Sequence, residues 1–210
     1  MISYRNLRLW ALFAIIFSLS FPNAQAHGKR SSQPPAQYTK LYTVEEAYAF
    51  FNHERTPFDP KKSKLTQYEV AYLEHYFELT DRAMELRTNM MQYYFAGTQA
   101  HKKQLAAYIT EIEKVIDGFA FVRAPTKDLK DIENLTALAI GEQRDFFRAW
   151  SSANGRDFLK LRKTYNQHEL IQSSHLKLQS AYTQLMLIFP HEDDYNQKAF
   201  YNHLCALDFI

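Results

Sequence analysis

Six side chains fall where a plain helical core would not put them: Glu69, Arg87, His101, Glu142, His168 and His175. Neutral imidazoles and ionised carboxylates are good ligands for zinc and other divalent ions, so His101, Glu142, His168 and His175 form a candidate donor set. At the helical period each projects toward or beside an apolar stripe, and with Glu69 and Arg87 they come from four different helices. The spacing weighs against a single ion. His168 and His175 lie seven residues apart, about 10 Å along a helix axis, so each needs ligands from another helix. The alternative is interior histidines hydrogen-bonded to Tyr or backbone. Glu69 and Arg87 interrupt an apolar stripe, where an unpaired charge costs several kcal/mol. Glu69 is expected at the mouth of a bundle, and Arg87 is expected to snorkel or to pair with a carboxylate on a neighbouring helix. An internal polar pocket is the functional reading of the same two residues.

Other chemistry finds less footing. Cys205 is the only cysteine, so no internal disulfide can form. Beside Leu204 and Leu207 it reads as a buried thiol, with a cross-linked dimer as the alternative. Met84, Met90 and Met91 read as core filler rather than soft-metal ligands. His27, once exposed as a mature N-terminus, could chelate copper through its α-amine and imidazole, a weak signal from one residue. His53, Glu54, Arg55 and Asp59 cluster in a connector punctuated by Pro57 and Pro60, which reads as a solvated turn. The P-loop, G-x-G-x-x-G, G-x-S-x-G, H-E-x-x-H and C-x-x-C-H signatures are absent. So is the Glu-x-x-His of di-metal carboxylate bundles.

The elements that must position these residues are helices. Leu65–Phe95 contains neither Gly nor Pro. Glu74, Glu78, Asp81, Arg82, Glu85 and Asn89 mark its polar stripe, and Leu73, Tyr76, Phe77, Met84 and Met91 the opposite one. A helix of this length, about 45 Å, needs partners along most of its apolar face. Thr43-Val44-Glu45-Glu46 is a capping box opening a short helix to about Asn52. Thr98 caps a helix ending near Asp117 before Gly118, and Thr126 caps another running to about Trp150. A last long helix is expected over Arg156–Phe189, ahead of Pro190, and a short one over His191–Leu207. No alternating strand pattern occurs. The expected fold is all-α, an up-and-down bundle of four long helices with short flanking helices at both ends, forming one domain over residues 43–210.

The N-terminus points to export. Arg5 and Arg8 precede the apolar run Leu9–Phe21, and Ala24-Gln25-Ala26 is a small-x-small cleavage signal. Residues 1–26 therefore read as a signal peptide cut after Ala26, residues 27–42 as a flexible polar tail, and the mature protein as periplasmic without a stable membrane insertion. The chain's 25 basic residues include the leader's two arginines, against 23 acidic ones. That balance gives no argument for nucleic-acid binding. The leading expectation is a non-catalytic module that binds another envelope protein in an accessory, chaperone-like or inhibitor role, with self-association open to it. A small-ligand or divalent-metal-binding bundle is the alternative.

Overall fold

Side-chain caps set where the helices begin. The structure is a computed structural model and describes residues 41–95, 102–153 and 155–208. The expected signal peptide, most of the expected polar tail, His27, Thr98 and His101 lie outside these residues. Thr43 accepts from Glu46 N while the Glu46 carboxylate accepts from Thr43 N, opening α1 (Val44–Phe50). Thr66 and Glu69 exchange the same pair of bonds at the start of α2 (Gln67–Phe95). α3 covers Lys102–Gly118, and Thr126 caps α4 (Lys127–Ser152) through Leu129 N. α5 (Gly155–Lys163) follows, then a 3-10 turn, then α6 (Glu169–Ile188) and α7 (Asp194–Ala206). No strand occurs among the described residues, and no described helix is long and apolar enough to cross a membrane.

The four long helices α2, α3, α4 and α6 alternate in direction, giving the all-α up-and-down bundle. Arg82 on α2 reaches Glu111 on α3, while His75, two turns earlier, meets the Gly118 carbonyl at the far end of α3. Arg148 meets Glu113 between α4 and α3, and Glu142 meets Ser173 between α4 and α6. Trp150, Phe146, Phe147, Tyr76, Leu73 and Met84 fill the interior. Gly118 sits at a close approach, since a Cβ there would lie 2.8 Å from Leu79 Cδ2.

One expectation about the elements changes. The predicted Arg156–Phe189 helix is divided, because His168 adopts extended backbone and its Nδ1 accepts from Leu170 N, starting α6 afresh. Just before it the Thr164 hydroxyl bonds back to the Lys160 carbonyl. Side chains that bond nearby backbone compete with helix propagation in this way. The expected short C-terminal helix over His191–Leu207 is α7, which begins at Asp194. It packs on both α6 and α2 and inserts Phe200, His203 and Leu204 into the core.

The connector before α2 keeps Glu54, Pro57, Pro60, Lys61, Lys62 and Lys64 exposed but is tied down at other residues. Asp59 and Asn196 bond reciprocally through backbone and side chain. Glu192 accepts from Ser63 Oγ and Lys64 N. Phe58 stacks on Phe200 at 6.1 Å and leans on Phe77. Proline and charge composition suggested an open turn, but the apolar surface of α7 gave this segment a reason to fold down.

Candidate functional site

Asp81 belongs to the polar stripe of α2 by helical phase, yet it is only 8% exposed. α1, the connector and α7 cover it, each presenting a polar side chain. Tyr48 on α1 donates its hydroxyl to Asp81 Oδ1 at 2.8 Å. Arg55 in the connector donates from Nε and Nη2 to Oδ2 at 3.1 and 2.6 Å. His203 on α7 places Nε2 at 3.4 Å from Oδ1. Burial alone would raise the Asp81 pKa, but bonds and charge from His203 and Arg55 outweigh it and hold the carboxyl below its ordinary range. Burial and the Asp81 charge push the Tyr48 hydroxyl well above its usual value. Sequence reasoning missed this cluster. Arg55 had been assigned to a solvated turn, and Asp81 to a solvated face.

This network floors a cleft of 630 Å³ between the connector, α2 and α7. Phe58 and Phe77 give the floor an aromatic surface. Glu74, Glu78 and Glu85 stand along the α2 side with Arg82, so the lining holds four carboxylates against two guanidinium groups. Arg82 is occupied by Glu85 at 2.8 Å and Glu111 at 3.6 Å. Glu74 and Glu78 are exposed and enter no ion pair among the described residues. His203 offers the cleft no free nitrogen. Its Nδ1 is engaged with the Ala199 carbonyl at 2.8 Å and its Nε2 faces Asp81, while the ring is 1% exposed. His75 also lines the cleft, with its Nε2 on the Gly118 carbonyl at 3.0 Å, and the cleft can hold a cation and an apolar group.

The sequence-selected residues have separate occupations. Glu69 does not project into the interior; it is the return partner of the Thr66 cap, at the edge of α2. The Thr66-Gln67-Tyr68-Glu69 spacing was the signal that could have shown this. Arg87 is buried, 1% exposed. Its guanidinium donates to the carbonyls of Ala206, Leu207 and Asp208 and lies over the Phe51 ring, closing the C-terminal end of α7. A cation suits that helix end, where carbonyls and the macrodipole are negative. Burial lowers the Arg87 pKa to about 10, opposed by nearby Tyr108 and Asp208.

Glu142 accepts from Ser173 and Lys177, His168 caps α6, and His175 pairs with Asp208. These three are not brought to one point, and His101 lies outside the described residues. Among the described residues no group of three or more His, Cys, Asp or Glu is arranged to hold a metal ion. Comparison with protein-family models, curated proteins and solved structures returns no match for this chain.

Proposed function

We propose that this protein is a non-catalytic binding module that holds a basic segment of a partner protein in the cleft over Asp81. The observation that carries the reading is the composition of that cleft: unpaired rim carboxylates over an aromatic floor. Excess negative charge steers and orients a Lys- or Arg-bearing segment, and the aromatic faces accept its apolar or cationic parts. The leader sequence supports a setting in the bacterial envelope, and N-terminal sequencing of the mature protein should begin at His27. A photo-crosslinking residue at position 78 should capture a defined partner in cells, whereas one at Leu187 on the far face should not. Reversing Glu74 and Glu78 to Lys should weaken binding of that purified partner by about tenfold or more and flatten its salt dependence. Equal affinity for the wild-type and reversed proteins would dismiss the cleft as the binding site.

A small cationic ligand is the second reading, favoured by a cleft volume of 630 Å³ that lies within the range of ligand pockets. It predicts saturable calorimetric binding of an aromatic amine in the absence of any protein partner.

A further inference from the structure

The turn between α3 and α4 stands at one end of the cleft. The Gly118 carbonyl accepts from Phe121 N at 3.1 Å and lies 3.0 Å from Nε2 of His75, which lines the cleft. Ala120 N donates to the Asp117 carbonyl at 3.0 Å, and the Tyr68 hydroxyl donates to the Arg123 carbonyl at 2.6 Å. Phe119 is buried, and Val122 and Ala124 pack against the core. Phe121 does neither. It is 82% exposed on a turn that hydrogen bonds pin on both sides. Tyr68 and Ala71, exposed on α2, and Ala120 extend the apolar surface around it. A large apolar side chain held outward by a fixed turn marks a contact surface, because the turn's own packing does not need it there. The exposed stripe of α2 runs on from Ala71 to the carboxylates Glu74 and Glu78.

Building on the reading of the cleft as a seat for a basic segment, we propose that the binding surface continues onto this turn. Its occupant is a segment of a partner protein with a large apolar side chain at one end, seated on Phe121 and Tyr68. Lys or Arg residues along the rest of the segment face Glu74 and Glu78. Tyr68 to Glu78 is ten residues, about 15 Å along the helix axis, which about five extended residues span. Glu74 and Glu78 are one turn apart, about 6 Å, the spacing of alternate side chains on one face of an extended segment. The pattern recognised is therefore a large apolar residue at one end and two basic residues at alternate positions beyond it. The apolar anchor supplies discrimination, and the carboxylates steer the approach. An anionic bilayer suits this surface less well. Asp117, Glu74 and Glu78, all exposed, would repel its headgroups, and Arg123 supplies a single compensating charge.

The test uses two acetylated, amidated peptides, Trp-Ser-Ser-Lys-Ser-Lys and Ser-Ser-Ser-Lys-Ser-Lys, and their reversed sequences, titrated into the purified protein at low salt and followed by calorimetry. The Trp peptide, in one of its two orders, should bind about tenfold tighter than its serine counterpart. Phe121→Ser, at an exposed position, should remove most of that gain and leave binding of the serine peptide unchanged. Reversing Glu74 and Glu78 to Lys should weaken both peptides. Equal affinity for the Trp and serine peptides, or a gain undiminished by Phe121→Ser, would overturn the extension and leave the cleft reading in place. Absence of binding by every peptide, or affinities indifferent to the reversed carboxylates, would dismiss the cleft and the turn together. Cosedimentation with phosphatidylglycerol vesicles that Phe121→Ser abolishes would assign the turn to lipid and overturn the proposal.

Discussion

Asp81 shows how one carboxylate comes to depend on three separate segments. Its charge is compensated by Arg55, Tyr48 and His203, none of which is nearby in sequence. Removing the charge leaves a guanidinium and an imidazole facing a neutral amide in a covered site. Asp81→Asn should therefore destabilise the fold by about 3 kcal/mol, measured as a lower urea midpoint at neutral pH. The pH dependence follows from the same geometry. Because the folded carboxyl titrates below the ordinary range, the unfolded chain takes up its proton first as pH falls. The Asp81 contribution is complete above about pH 5 and is lost between about pH 4 and the lower folded value. Asp81→Asn should flatten the stability profile across that acid window, and an unchanged slope would remove Asp81 from the account. Arg87 teaches a related lesson. Its helical phase placed it on a core face, but three of the acceptors it reaches are main-chain carbonyls, which every residue carries and no sequence pattern advertises.

At the scale of elements, the caps were the most readable features. Thr43 and Thr126 were expected as caps and serve as such, because a hydroxyl three residues ahead of an available N–H is a local relation. Where α1 ends, Asn52 takes φ 57°, and the amides of Asn52 and His53 bond the carbonyls of Ala49 and Tyr48. That is a Schellman closure with Asn at the left-handed position. It also aims the chain so that Arg55 can return to Asp81. Asn52→Gly should be neutral or slightly stabilising, while Asn52→Val should lose about 1–2 kcal/mol through backbone strain, read from thermal unfolding. The break at His168 was less readable. The apolar period continues across it, and only the ring's bond to Leu170 N makes the residue a start rather than a middle.

For the whole molecule, α7 joins the regions that sequence order keeps apart. Phe200 contacts Phe58, Phe77 and Phe189, and so bridges the connector, α2 and the chain following α6. Phe200→Ala should lower stability by about 3–5 kcal/mol and increase amide exchange in the connector as well as in α7. Exchange confined to α7 would mean that the two fold independently. The sequence by itself determined the helical class, most helix starts, the long α2 and the burial of Arg87, since capping and apolar period act over a few residues. The tertiary structure alone decided which helices meet, that Asp81 is covered, and that Glu142, His168 and His175 go to different partners. The physical reason is that helical phase fixes which way a side chain faces, while the height at which two helices meet depends on packing along their whole length.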